Sequence, residues 1–302
     1  MCGKALGRYE NTSPMPASLA PSSSLSDMTS TLAAEAQSHH APVSRDAGPI
    51  GVIGALPEEI AGLLARLSSY GVTLGGRDFH RGYVAGVDCV AVLSRIGKVA
   101  AATTASVLIH RFGVRAIVFV GVAGGIGDAV RVGDIVIGEG FVQHDMDASP
   151  LFPRFEVPLS GVSRHAADAH WSAALRRAAQ TYLASRRGRP GEAQPRVHCG
   201  LIGSGDRFVS GLNERILLSE AIPGLLAVDM ESAAVAQVCH EHDVPFAAMR
   251  SISDSADDGA AIDFPVFLRE VAAVYADGVL DTLFAQVSSA HDPAASCNVA
   301  AG

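Results

Sequence analysis

The sequence predicts an α/β fold built on a largely parallel or mixed sheet, and three observations carry that prediction. Short apolar runs rich in Val, Ile and Ala recur along the chain. Longer stretches with helically spaced apolar residues lie between several of them. Turns bearing glycines and carboxylates follow the runs. Uninterrupted apolar runs suit strands buried on both faces, and such strands need helices to cover them.

Taken in order, the first strand is expected over Ile50–Ile53, ending at Gly54. A helix over Glu58–Leu67 follows, since Pro57 suits a first helical position and Glu58 and Glu59 suit the positive end of the helix dipole. A strand over Val90–Leu93 leads to a helix over Lys98–Arg111. Strands over Ala116–Val120 and Ile135–Ile137 precede a helix over His165–Ala184. Strands over Val197–Ile202 and Leu226–Val228, a helix over Glu231–His242 and a strand over Phe246–Met249 come next. The last helix spans Phe264–Val287, where Phe264, Phe267, Leu268, Val271, Tyr275, Val279 and Leu283 share one face.

Composition sets limits on function. Of 302 residues, 48% are hydrophobic and 18% charged, enough for a sizeable core. The formal charge of −8 gives no support for nucleic-acid or anionic-membrane partners. The five cysteines, Cys2, Cys89, Cys199, Cys239 and Cys297, show no C-x-x-C spacing, which argues against zinc or a disulfide framework and fits a reducing cytosol. No apolar run reaches membrane-spanning length, and no secretory signal is legible, so a cytoplasmic location is expected. Residues 1–48, rich in Ser, Ala and Pro, read as a disordered extension, or as the mark of a start placed too early, with Met28 as one candidate. Residues 49–287 read as the functional domain and 288–302 as a flexible tail.

Open α/β sheets bind ligands beyond the carboxyl ends of their strands, so chemistry is sought in the turns. Glu58 and Glu59 open the first helix, where a carboxylate can be a mere dipole partner. Gly121-Val122-Ala123-Gly124-Gly125 fits neither the dinucleotide pattern nor a P-loop; its glycines let backbone approach a flat ligand or simply make a tight turn. Ser204-Gly205-Asp206-Arg207-Phe208-Val209 offers flexible backbone and an aromatic ring to a purine, or an anchored loop. Glu231 follows Val228-Asp229-Met230 at a strand end. Asp254 lies just past a buried strand with Arg250 and Ser253 close by, as a site acid or a turn former. His144-Asp145-x-Asp147 and His240-x-His242 lack metal-ligand spacing, and no metal or cofactor is expected.

Together, and in this order, these turns and Ile96-Gly97-Lys98-Val99 and Val132-Gly133-Asp134 resemble the methylthioadenosine/S-adenosylhomocysteine nucleosidase family, over roughly Ile50 to Val287. The resemblance implies a nucleoside phosphorylase-like three-layer sandwich, with a central mixed, mostly parallel twisted sheet flanked by helices, working as a homodimer on a small-molecule nucleoside. It implies Asp254 as the acid at adenine nitrogen seven, Glu59 as the residue activating water and Glu231 as the holder of the ribose hydroxyls. Phe208 and Val209 match the adenine-binding stretch, Met230 and Ile96 the apolar walls, and Phe264 an aromatic residue closing the pocket. Ala123, Gly124, Ser253 and Arg250 complete the expected site.

The chemistry supports those roles independently. Adenine leaves as a neutral base only if its imidazole ring is protonated, which calls for a carboxylic acid. The sugar becomes cationic as the bond breaks, and Glu231 and Glu59 would place negative charge beside it. A carboxylate at Glu59 would also repel phosphate, favouring hydrolysis over a phosphate-dependent purine or methylthioadenosine phosphorylase; a nucleosidase for another purine nucleoside stays as a further alternative. Two positions depart from the family's usual pattern: Val122 replaces a serine, and Arg95 replaces a glycine.

Overall fold

The computed structural model describes residues 48–67, 70–186, 194–256 and 266–291. Its strands are β1 (Ile50–Gly54), β2 (Tyr70–Leu74), β3 (Arg77–Val84), β4 (Val87–Leu93), β5 (Ala116–Gly125), β6 (Ile135–Gln143), β7 (His165–Ala166), β8 (Val197–Ser204), β9 (Leu225–Asp229) and β10 (Phe246–Asp254). Its helices are α1 (Pro57–Arg66), α2 (Lys98–Phe112), α3 (Ala169–Ser185), α4 (Leu212–Ala221), α5 (Ser232–Glu241) and α6 (Ala273–His291), the last preceded by a π-helical turn over Leu268–Ala272. Phe264 lies outside the described residues, as do the expected N-terminal extension up to residue 47 and residues 292–302; residues 288–291, expected in the tail, instead continue α6.

The sheet is mixed. β1 lies between β4 and β5, parallel to both. β5 also runs parallel to β10, β10 antiparallel to β6, and β6 and β8 parallel to their next neighbours β8 and β9. A short antiparallel pairing of Gly124 and Gly125 with Val228 and Ala227 brings β9 back to β5, so five strands close a circuit. Alternation along each strand feeds two cores. Ala116, Val118 and Val120 pack with Trp171, Leu175, Leu280 and Phe284 on one face, while Ile117 and Phe119 pack with Ala105, Leu108, Ala233 and Val235 on the other. Helices α3 and α6 therefore cover one side, α2 and α5 the other, giving the three layers.

The structure corrects several expected boundaries. His165 and Ala166 form a short strand against β6, and the helix begins only at Ala169, where Asp168 accepts the Trp171 N–H as N-cap. Glu231 is the N-cap residue of α5 rather than part of its first turn. The β2–β3 hairpin and α4 escape the apolar-run reading because both are substantially exposed: β2 buries no residue fully, and α4 buries only Leu218. The hairpin's one legible signal is Gly75-Gly76, both with positive φ, at its two-residue turn.

Candidate active site

Residues at the carboxyl ends of β1, β5, β9 and β10 surround one cleft of about 740 Å³, its open mouth included. Glu59 enters it from the start of α1. Local sequence explains why: Pro57 starts the helix, and Glu59 turns back so that one carboxylate oxygen accepts the Ala55 and Leu56 N–H groups at 2.7 and 2.9 Å. Its other oxygen accepts the Val122 N–H at 3.1 Å. The helix-capping role and the cleft-facing role thus belong to the same side chain. Burial pushes its pKa above the ordinary carboxylate value, against the opposing pull of Arg250 and these three amides.

Glu231 makes no side-chain cap on its own helix. It reaches across to α2, where the Gly97 N–H donates to it at 2.9 Å. Beneath it lies a buried polar network. Asp229 accepts Arg250 Nε–H at 2.7 Å, the hydroxyls of Ser204 and Ser232, and the backbone N–H groups of Glu231 and Ser232. Burial alone would raise Asp229, but Arg250 and the two hydroxyls outweigh it and hold the carboxyl below its ordinary value. Glu231 goes the other way: burial, reinforced by Asp229, pushes it up to about 7, against Arg250 and the Gly97 amide. The Arg250 guanidinium lies 4.0 Å from the Phe119 ring centroid, and its Nη2 makes no hydrogen bond with any described residue.

Asp254 ends β10. It accepts the Ser253 hydroxyl at 2.7 Å through one oxygen and the Ala256 N–H at 2.8 Å through the other. Across the cleft stands the loop after β8, whose Phe208 and Val209 line the wall. Gly205 at its start is required by packing, because a Cβ there would lie 2.4 Å from the His144 ring. His144 itself is buried with Nε2 unpaired among the described residues, and burial keeps its imidazole below the usual histidine range.

Of the residues expected from the sequence, Glu59, Glu231 and Asp254 share this cleft. Met230, Ile96, Ala123 and Gly124 line it, as do Ser253 and Arg250. Phe264 lies outside the described residues. Val132-Gly133-Asp134 sits elsewhere: Asp134 accepts the Arg196 N–H and pairs with His198, fastening β6 to β8. Arg95 adopts a left-handed φ of 70° and donates to the Gly76 carbonyl rather than into the cleft. Val122 replaces the serine hydroxyl with an apolar wall packed beside Phe267 and Leu268. Among the described residues no cluster of His, Cys, Asp or Glu could hold a metal, and no helix is long and apolar enough to cross a membrane. Sequence reasoning gave no role to Asp229 or to the amides of Ala55, Leu56, Gly97 and Val122. Asp229 had a signal, an acid two residues before Glu231 at a strand end; the amides had none.

Known proteins share this architecture. The profile of the phosphorylase superfamily matches residues 49–285. The 5′-methylthioadenosine/S-adenosylhomocysteine nucleosidase of Shewanella sediminis (strain HAW-EB3) is 36% identical over 220 residues, 72% of this chain and 91% of that protein. The Neisseria meningitidis enzyme of the same name, solved in complex with methylthio-immucillin-A, aligns with a TM-score of 0.72 at 35% identity, covering 79% of this chain and 99% of that one. The futalosine hydrolase of Helicobacter pylori strain 26695 aligns with a TM-score of 0.71 at 30% identity, covering 80% and 99%. With this extent of likeness added to a cleft of that geometry, the chain belongs to the 5′-methylthioadenosine/S-adenosylhomocysteine nucleosidase family of the phosphorylase superfamily.

Proposed function

We propose that the chain hydrolyses the N-glycosidic bond of 5′-methylthioadenosine and S-adenosylhomocysteine and releases adenine. The observation that carries this reading is the convergence of three carboxylates of different environment on one cleft. The base lies against Phe208 and Val209 with its imidazole edge toward Asp254, which donates a proton to nitrogen seven. Glu231 accepts hydrogen bonds from the ribose hydroxyls, and its charge opposes the positive charge that grows on the sugar. Glu59, oriented by three amides, holds a water and takes its proton as that water attacks the anomeric carbon.

Hydrolysis is favoured over phosphorolysis by charge. Two arginines line the cleft, and both are already paired: Arg250 with Asp229 and Arg207 with Glu214. A dianion there would face Glu59 and Glu231 without a free counter-charge. The likeness to a futalosine hydrolase supports a second reading, a nucleosidase for a purine nucleoside with another 5′ group. Adenine release from a panel of 5′-substituted nucleosides in phosphate-free buffer tests all three: dependence on added phosphate removes hydrolysis, and preference for another 5′ group removes the first reading. The working unit is read as a homodimer, supported by large apolar side chains left in solvent at the start of α2 and on α4, notably Val99 and Leu217. Sedimentation as a monomer at micromolar concentration would remove that reading.

A further inference from the structure

The N-terminus of α2 is capped by two carboxylates from remote parts of the chain. Gly97, the N-cap, has no side chain to offer, and the first turn contains no acid of its own. The Gly97 N–H donates to Glu231 at 2.9 Å, and the next amide, Lys98 N–H, donates to Asp206 at 2.9 Å. Neighbouring peptide groups therefore hold the sugar-side carboxylate and the loop that carries Phe208 and Val209. Unsatisfied amides at a helix start favour such anionic partners. Gly97 has φ of 100°, and a Cβ on it would lie 3.4 Å from Asp206.

The contact is part of a closed ring. Asp206 N–H donates to Asp145 at 2.9 Å, and the Lys98 ammonium donates to the other oxygen of Asp145 at 2.6 Å. Lys98 also donates to Gln143 at 3.0 Å, and Gln143 donates to Gln237 on α5, the helix that starts just after Glu231. The effect of these contacts is geometric, since only Arg207 separates Asp206 from Phe208.

We propose that Asp206 is a positioning residue, which fixes the spacing between the base-binding loop and Glu231 by fastening both to the start of α2. The proposal rests on the functional reading above, so its test has an arm independent of activity. Kinetics of Asp206→Ala and Asp206→Asn are compared with inhibition by free adenine, with melting temperature, and with amide hydrogen exchange over residues 96–99 and 205–209. Asp206→Ala is expected to lower kcat/KM for the nucleoside about tenfold or more, because a misplaced but intact site loses transition-state fit. Its inhibition by adenine alone should stay within about twofold, because each half-site survives, and its melting temperature should fall by only a few degrees, the loss expected for one helix cap. Asp206→Asn keeps an acceptor oxygen and should retain activity within about threefold of the parent. Exchange should accelerate in both segments together in the alanine variant. Parental kcat/KM with Asp206→Ala, equal impairment of both variants, or adenine inhibition that weakens in step with kcat/KM would each overturn the proposal. If the parent releases no adenine, the functional reading fails instead, and exchange confined to 205–209 would still sink the coupling.

Discussion

Asp229 accepts the Nε–H of Arg250 at 2.7 Å, and each side chain is about 1% exposed. Two ions at that depth cost much desolvation, which their attraction and the added serine and amide donors offset. Asp229→Ala would leave Arg250 buried without a counter-charge. We expect it to destabilise the protein by about 3–5 kcal/mol in chemical denaturation, the range found when one partner of a buried pair is removed. The Asp229 carboxyl is held below its ordinary value, so its contribution is complete above about pH 4 and is lost only as pH falls further. Removing Asp229 also takes away a charge that helps raise Glu231, so the deficit of the variant should be largest near pH 5 and shrink toward pH 7, and a deficit that grows over that window would contradict the pairing.

Glu231 behaves in the opposite sense. Its folded-state pKa is raised from 4.5 to about 7, so between those values the folded protein binds the proton more readily than the unfolded chain. The group favours the fold at acid pH, and that contribution declines as pH climbs to 7 and is gone above it. Glu231→Gln should accordingly gain in melting temperature relative to the parent between pH 5 and 8. If the ionised form grips the sugar, kcat/KM of the parent should rise toward pH 7, and the variant should be slower with that limb flattened. The same limb in Glu231→Gln would assign it to another group.

These cases show which parts of the site the sequence made legible. The strands were visible because the sheet is buried on both faces, so Ile50, Val52 and Ile53 or Ala116 to Val120 appear as unbroken apolar runs. The acids Glu59, Glu231 and Asp254 were visible because each sits at a strand–turn junction. What stayed hidden was long-range pairing. Nothing local in Gly97-Lys98 announces that its amides meet residues 134 and 108 positions away. Asp134 makes a long-range contact of the same kind, since it accepts the Arg196 N–H and pairs with His198, fastening β6 to β8. The β2–β3 hairpin escaped because an exposed edge carries no apolar run.

Asp254→Asn and Glu59→Gln should separate chemistry from architecture. In Asp254→Asn the oxygen facing Ala256 N–H survives, and the Ser253 hydroxyl can rotate to accept rather than donate. That variant should fold with near-parental stability and lose kcat by about 10²–10⁴-fold, the worth of a positioned general acid. Glu59→Gln should lose activity on a similar scale and stability as well. An amide NH₂ cannot accept, so at least one of the three backbone donors is left unpaired at about 1–3 kcal/mol. Near-parental turnover in either variant would remove its assigned role, and a fully stable Glu59→Gln would deny its second one.

Gly121 offers a test of how tightly the charged groups are held. It lies in β5, and a Cβ built there would approach Arg250 Nη1 to 2.6 Å and a Glu59 carboxylate oxygen to 2.9 Å. Neither can yield freely, because Arg250 is tied to Asp229 and Glu59 to three amides. Gly121 has no positive φ, so alanine is acceptable to the backbone and the clash alone is tested. Gly121→Ala should cost about 1–3 kcal/mol, as overpacking typically does. It should also lower kcat by roughly a hundredfold by displacing the carboxylate proposed to hold the water by a fraction of an ångström. Turnover equal to the parent would mean that Glu59 and Arg250 tolerate displacement, and that their placement in this cleft is not what sets the rate.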